Sequence, residues 1–218
     1  MTKPARGRFI SFEGGEGTGK STQAAMLAEA LRARGFAVVE TREPGGSALA
    51  EAIREVILSG QARPYGAFAE AVLFSAARAD HLRATIRPAL ARGEWVVCDR
   101  FADSTRAYQG ALGNLDPRLL RAMEDAVVEG TWPDLTLLLD MPAERGLARA
   151  RRRSGAGDRF EDETLDYHRG LRHAFLDIAE SAPGRIVVID ADRAAPEVAA
   201  SIWKAVEARL LPQEAAAP

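Results

Sequence analysis

The feature that most restricts this chain is a glycine-rich loop that ends in lysine and serine. Residues 14–21 read GGEGTGKS and fit the pattern G-x-x-x-x-G-K-[ST]. They follow an apolar run at residues 8–13 and precede a stretch of helical spacing, which is the context that a phosphate-binding loop requires. Its glycines let backbone N–H groups point at phosphate oxygens, and the helix adds the positive end of its dipole. The sequence therefore predicts a nucleoside triphosphate site rather than an incidental strand-to-helix turn.

Each residue of this loop receives a part in the predicted nucleotide site. Lys20 is expected to reach the β- and γ-phosphates and act in catalysis, while the Ser21 hydroxyl is expected to bind Mg²⁺. The other predicted nucleotide contacts are Gly14, Gly15, Glu16, Gly17, Thr18, Gly19 and Thr22. A regulatory GTPase would also carry an [NT]-K-x-D segment to read guanine, and no lysine of this sequence lies in one.

Five short apolar runs, typical of parallel strands buried on both faces, alternate with stretches of helical spacing. The runs span residues 8–13, 37–42, 95–99, 135–140 and 185–190. The predicted helices span residues 21–34, 49–58, 69–91, 119–128, 143–153, 165–179 and 196–210. The alternation predicts an α/β fold, a P-loop NTPase-type doubly wound sheet of about five parallel strands flanked by helices. Pro88 is expected to kink the last turn of the longest helix.

The chain shows no internal linker or repeat, so one domain is predicted over residues 1–218. Within it, a basic helix end, a glycine-containing turn and a second helix predict a small helical lid at about residues 149–161. The tail at residues 212–218 is expected to be frayed. Ligands of doubly wound sheets bind beyond the carboxyl ends of the strands, so the side chains that end each run are site candidates.

Composition argues against several classes of protein. The 29 basic and 31 acidic side chains leave a net charge of −2, which disfavours a protein that coats nucleic acid or an anionic membrane. No run of 18 apolar residues occurs, so no membrane span is expected. Cys98 is the only cysteine, which excludes an intrachain disulfide and favours a reducing compartment.

A carboxylate and a guanidinium end the third apolar run. Asp99 lies where a Walker-B aspartate holds Mg²⁺ directly or through water, although a turn or helix cap is the alternative. Arg100 follows it, and a guanidinium fork can bind two phosphate oxygens at once. Both residues are therefore candidates for catalysis.

Several motifs resemble those of one enzyme family. They read FEGGEGTGKST, TREPGG, LFSAAR, DRFADSTRAYQG and an arginine-rich segment ending in DRFE. In this order and spacing they resemble bacterial thymidylate kinases from Phe9 to about Asp190. The resemblance implies transfer of the γ-phosphoryl group of ATP to dTMP, giving ADP and dTDP, by a homodimeric cytoplasmic enzyme that uses Mg²⁺. Two alternatives stay open: a kinase of the same fold for another acceptor such as UMP or CMP, and a non-catalytic NTP-binding regulator.

Phe74 and Arg78 form a candidate base-reading pair. They are four residues apart on the longest predicted helix and so share one face. An aromatic ring stacks on a base with about 1–3 kcal/mol, and arginine donors suit the O4 carbonyl of thymine rather than the amine of cytosine. A core position for Phe74 and a surface salt bridge for Arg78 are the alternatives, and the resemblance favours the site.

The resemblance carries further roles onto this sequence. It implies that Arg100 faces the acceptor phosphate and that Tyr108 packs on the sugar, where a 2′-hydroxyl would project. It implies that the base is lined by Ser104, Thr105 and Gln109. Residues near the acceptor are implied to include Glu43 and Arg54.

Arginine dominates the predicted lid. Transfer of a γ-phosphoryl group needs positive charge, and the loop at residues 14–21 contains no arginine, so that charge must come from elsewhere. The resemblance implies that the lid supplies it, with Arg153 and Arg159 as the catalytic candidates and Arg149 behind them. The alternative is a solvated helix end that complements its own dipole.

Overall fold

The computed structural model describes residues 6–152, 160 and 162–211, and within them five parallel strands form one sheet. The strands are β1 (Phe9–Glu13), β2 (Val38–Arg42), β3 (Trp95–Asp99), β4 (Leu135–Asp140) and β5 (Ile186–Asp190). Each begins within one residue of its predicted apolar run and ends where that run ends. The predicted parallel sheet of about five strands is therefore confirmed.

Helices fill the segments between the strands. They are α1 (Lys20–Arg32), α2 (Ala48–Leu58), α3 (Gly66–His81), α4 (Arg87–Ala91), α5 (Ala102–Thr105), α6 (Pro117–Val128), α7 (Ala143–Arg151), α8 (Leu165–Ser181) and α9 (Ala195–Leu210). A π turn at Leu82–Ile86 joins α3 to α4 and ends two residues before Pro88. Proline has no N–H to donate, and its ring clashes with the carbonyl group four residues earlier, so an irregular helical turn is expected just before it.

A second π turn follows α5 at Arg106–Leu112, and the sequence did not predict this helical segment.

The strand order β2-β3-β1-β4-β5 reverses at β1, because the chain first builds one side of that strand and then the other. In the β1–β3 and β2–β3 pairings, both Phe12 and Arg42 stand opposite Asp99. The carboxyl ends of these three strands therefore meet at one edge, where ligands of doubly wound sheets bind.

Apolar side chains cover both faces of the sheet. Leu137 of β4 packs with α1 and α9 on one face, in a cluster that includes Leu27 and Ile202. Its neighbour Leu138 points to the other face and packs with Phe175 of α8. This alternation follows from the two-residue period of a strand and confirms the doubly wound arrangement.

Several predicted features lie outside the described residues. Helix α7 ends at Arg151, and most of the predicted lid, with Arg153 and Arg159, lies beyond the described part of the chain, as does the tail at residues 212–218. Within the described part, no helix combines the length and the apolar character needed to cross a membrane.

Candidate active site

A cavity of about 420 Å³ lies beyond the carboxyl ends of β1 and β3. Most of the predicted site residues that the structure describes line it. They are Glu16, Gly17, Gly19, Lys20, Ser21, Thr22, Glu43, Arg54, Phe74, Arg78, Asp99, Arg100, Ser104, Thr105, Tyr108, Gln109 and Arg149. The other three predicted loop residues, Gly14, Gly15 and Thr18, line a smaller pocket instead. The structure thus brings residues from distant motifs to one cavity.

The loop between β1 and α1 curls around the ammonium group of Lys20. Gly17 and Gly19 adopt φ angles of 69° and 91°, which only glycine takes without strain. Lys20 Nζ donates a hydrogen bond of 2.7 Å to the carbonyl oxygen of Gly15. Burial, with Arg100 nearby, lowers the pKa of Lys20 to about 8. The lysine is thus buried within the loop that is expected to hold phosphates.

Two oxygen donors meet at the start of α1. Ser21 Oγ donates a hydrogen bond of 2.5 Å to Asp99 Oδ2. The other carboxylate oxygen, Asp99 Oδ1, is buried and accepts no hydrogen bond from the described residues. A buried carboxylate oxygen without a partner is costly unless a cation or water satisfies it. The pair therefore fits a hard cation such as Mg²⁺, which prefers oxygen ligands.

Arg100 links the loop to the second half of the cavity. Its backbone has φ 70°, a left-handed conformation that costs a non-glycine residue about 1–3 kcal/mol. One guanidinium nitrogen, Nη2, donates to Glu16 Oε1 at 2.7 Å, and Nη1 donates to Ser104 Oγ at 3.2 Å. The Tyr108 hydroxyl donates to the same Glu16 oxygen at 2.6 Å. Burial alone would raise the pKa of Glu16, but Arg100 and Lys20 lower it to about 2, so its carboxylate is ionised.

The structure shows contacts of the Glu16 side chain that the sequence did not predict. The motif assigned it to the nucleotide loop, whereas its side chain is held by Arg100 and Tyr108, which are 84 and 92 residues away along the chain. No spacing in the sequence could have indicated these contacts.

Arg78 is buried, with 3% of its side chain exposed, and is held from two sides. Its Nε donates to Glu43 Oε2 at 2.7 Å, and its Nη2 donates to Thr105 Oγ1 at 3.0 Å. The second oxygen of Glu43 contacts His81 Nδ1 at 3.1 Å. The alternative that Arg78 forms a surface salt bridge is therefore wrong, because both Arg78 and its partner Glu43 are buried. Phe74, one helical turn earlier, is half-buried and lines the cavity while also packing against the core.

Glu13 ends the first apolar run, which made it a site candidate by position, and in the structure it supports the site from the end of β1. Its two carboxyl oxygens accept hydrogen bonds from the Phe101 backbone N–H at 2.8 Å and from the Ser104 hydroxyl at 2.6 Å. Burial and the neighbouring Asp103 raise the pKa of Glu13 to about 8. The contacts fix the first turn after β3, from which Ser104 reaches the cavity.

Tyr108 and Gln109 lie on the second π turn. The Tyr108 ring is buried edge-on against Phe160, with ring centroids 5.1 Å apart. Gln109 Nε2 donates to Glu70 Oε2 of α3 at 3.1 Å. The extra residue of a π turn changes which side chains of a helix point to one side, and such turns are frequent at functional sites.

Three further arginines line the cavity, Arg42, Arg54 and Arg149, and the last two bind backbone carbonyl oxygens. Arg54 Nη1 donates to the carbonyl oxygen of Pro44 at 2.7 Å. Arg149 Nη1 donates to the carbonyl oxygen of Ala191, just after β5, at 3.1 Å. The cavity is therefore bordered by cationic side chains from α2, the β3 end and α7.

Comparison with known proteins agrees with this geometry. The family model described as thymidylate kinase matches residues 12–202. A thymidylate kinase of Bradyrhizobium sp. strain BTAi1 is 55% identical over 98% of this chain and 96% of its own, and one of Nitrobacter winogradskyi is 56% identical over 97% and 93%. The crystal structure of the Ehrlichia chaffeensis thymidylate kinase superposes with a TM-score of 0.75 at 31% identity, covering 92% of this chain and 99% of that one. With a phosphate-binding loop, an arginine-lined cavity and relatives that match along nearly its whole length, the chain belongs to the thymidylate kinase family.

Proposed function

We propose that this protein transfers the γ-phosphoryl group of ATP to dTMP and releases ADP and dTDP. The observation that carries the proposal is one continuous cavity with Lys20 of the loop lining one part, Phe74 and Arg78 lining another, and Arg100 between them. ATP would extend its phosphates along the loop, and dTMP would lie between α3 and the end of β3.

To catalyse phosphoryl transfer, the protein mainly has to position the two nucleotides and place positive charge near the transferred group. Lys20 would bind the β- and γ-phosphates, and Arg100 would bind the acceptor phosphate with its fork of donors. Additional charge on the moving group would come from Arg153 and Arg159 of the lid, with Arg149 behind them. Closing the site would exclude water, so that ATP is not hydrolysed.

Mg²⁺ is the proposed cofactor. The support is the short Ser21–Asp99 contact together with Asp99 Oδ1, which accepts no hydrogen bond from any described residue. When bound, the ion would neutralise the charge of the ATP phosphates. Ser21 and Asp99 would hold it, and Lys20 would remain free to contact the phosphate oxygens.

Recognition of the nucleotide acceptor would use different faces of one pocket. Phe74 would stack on the base, and Arg78 would donate to the thymine O4 carbonyl. Tyr108 would pack on the sugar and exclude a 2′-hydroxyl, which separates dTMP from UMP. The proposed contacts near the base and the phosphate also include Ser104, Thr105, Gln109, Glu43 and Arg54.

The assembly and location of the enzyme are proposals as well. We propose a homodimer, supported by large apolar side chains that are exposed on α2 and α3. We also propose a cytoplasmic location, supported by the single cysteine and by the family of nucleotide kinases to which the chain belongs.

An ADP-release assay with dTMP, dUMP, dCMP, UMP and dGMP tests this function. We expect the highest kcat/KM with dTMP, loss of transfer when EDTA removes Mg²⁺, and recovery when Mg²⁺ is restored. Strong activity on UMP with little on dTMP would contradict the role given to Tyr108. Slow ATP hydrolysis that no acceptor stimulates would instead favour an NTP-binding regulator.

A further inference from the structure

We propose that Glu70 is a positioning residue that orients the amide of Gln109, so that the amide oxygen faces the base of the acceptor. The proposal rests on the function proposed above, because it concerns how the same pocket distinguishes thymine from cytosine. Glu70 itself does not line the cavity, and no sequence motif pointed to it.

Glu70 belongs to the same helical face as the base-reading pair. Glu70, Phe74 and Arg78 follow one another at intervals of four residues on α3, a spacing that places their side chains on one side of the helix. Phe74 and Arg78 line the cavity directly, whereas Glu70 contacts it through Gln109 of the second π turn. One helix face thus presents a ring, a cation and the carboxylate that holds the Gln109 amide.

The hydrogen bond between the two side chains determines which way the amide points. Gln109 Nε2 donates to Glu70 Oε2 at 3.1 Å, and the side chains are both buried, with 2% of Gln109 and 7% of Glu70 exposed. In this hydrogen bond the amide NH₂ group donates and the carboxyl oxygen accepts, so the NH₂ group of Gln109 is turned toward Glu70. Its oxygen Oε1 is then directed away from Glu70, and no hydrogen bond joins it to another described residue. Because Gln109 lines the cavity, this oxygen is the acceptor that it offers to a ligand.

A hydrogen-bond acceptor on Gln109 beside the donors of Arg78 is complementary to the base edge of thymine and uracil but not to that of cytosine. Thymine and uracil present an N3–H donor next to the O4 acceptor, whereas cytosine presents an N3 acceptor next to an amine donor. Arg78 would donate to O4, and Gln109 Oε1 would accept from N3–H. An amide that could rotate would offer its NH₂ group to the cytosine N3, so Glu70 removes that second way of binding.

The test compares the wild-type chain with Glu70→Gln, which keeps the shape of the side chain but lets the neighbouring amide turn. The readout is kcat/KM for dTMP, dUMP and dCMP. We expect the dTMP:dCMP ratio to fall by about tenfold or more, the usual effect of one mispaired buried hydrogen bond. The dTMP:dUMP ratio should stay unchanged, because these two bases share N3–H and O4 and differ only in a methyl group.

A purely structural effect of the substitution would lower both ratios or neither. Glu124→Gln is the matched control, because Glu124 is also a buried carboxylate but pairs with Arg106 and does not line the cavity. It should leave both ratios at the wild-type value even where it lowers stability. Glu70→Met, which removes the acceptor and keeps the volume, carries the same expectation as Glu70→Gln if the latter folds poorly.

Exchange of the two side chains supplies a rescue. In Glu70→Gln with Gln109→Glu, the amide at position 70 donates to the carboxylate at position 109, which again offers an acceptor to N3–H. We expect the dTMP:dCMP ratio to recover. A wild-type dTMP:dCMP ratio in folded Glu70→Gln or Glu70→Met overturns the role of Glu70 alone, whereas a wild-type chain inactive on dTMP overturns the proposed function.

Discussion

At the scale of single residues, the protonation state of Lys20 connects the structure to a measurable pH dependence. Its pKa is lowered to about 8 in the free protein by burial and by Arg100. Bound phosphates favour the charged ammonium, so above pH 8 binding must take up a proton and the affinity for ATP should fall, by up to about tenfold per pH unit. The phosphates are already ionised there and add no change of their own. Lys20→Ala should weaken this dependence, leaving only the contribution of Glu13, whose pKa is also about 8, and should reduce transfer at least about 100-fold.

Titration of ATP binding between pH 7 and 9.5, with turnover measured in parallel, checks the role of Lys20. Lys204→Ala is the matched control, since that lysine is exposed on α9 and should retain both the activity and the pH profile. Near-normal turnover of Lys20→Ala, with circular dichroism showing an intact fold, would refute the assignment of the loop.

The sequence could predict some site residues because one motif or one strand end identifies them. Lys20 and Ser21 follow from the loop pattern, and Asp99 from its place at the end of an apolar run. The roles of Glu16 and Glu70 could not be predicted, because both depend on hydrogen bonds to residues far away along the chain. A buried carboxylate is recognised as a site-building group only when its partner is known.

At the scale of elements, the contact between the loop and α7 depends on two glycines. A Cβ on Gly146 would lie against the carbonyl oxygen of Glu16, and a Cβ on Gly17 would lie against the carbonyl oxygen of Gly146, both inside van der Waals contact. The nucleotide loop and the helix that leads to the lid therefore approach backbone to backbone. Any side chain at this point must move one of them.

Gly146→Ala tests that contact. Alanine normally stabilises a helix interior by up to about 1 kcal/mol relative to glycine, but a clash with backbone costs about 1–3 kcal/mol. We expect the clash to prevail, with a lower melting temperature and a ten- to hundredfold loss of turnover, roughly what a misplaced site costs. Turnover assays and thermal unfolding measure the two effects.

Gly184→Ala is the control for this substitution, because its Cβ would meet no atom within 4 Å. It should leave turnover unchanged. If Gly146→Ala behaved in the same way, the loop and α7 would not be coupled through this contact.

Elements differed in how well the sequence predicted them. The strands were predicted to within one residue because runs buried on both faces are almost wholly apolar. The segment formed by α5 and the π turn at Arg106–Leu112 was missed, since its buried side chains alternate between small apolar residues and polar ones such as Thr105 and Gln109, and they form no continuous apolar stripe. The functional segment was thus the one whose pattern departed from that of a packed helix.

At the scale of the whole molecule, the exposed apolar side chains of α2 and α3 need an explanation. These helices pack against each other and expose Leu49, Val56, Phe68 and Val72. Isolated apolar residues on a surface are ordinary, but four large ones on two adjacent helices are typical of an interface. A second copy of the chain would remove them from water.

Phe68→Glu tests the proposed homodimer, because Phe68 is 52% exposed and a charge there would be buried without a partner in an interface. Light scattering should give a dimer for the wild-type chain and a monomer for the variant at micromolar concentration. Val188→Glu, on the edge strand β5 and 46% exposed, should remain dimeric. Because α3 also carries Phe74 and Arg78, loss of the interface should raise the KM for dTMP more than that for ATP. A wild-type chain that is monomeric in solution would contradict the dimer, and equal changes in both KM values would contradict its link to the base pocket.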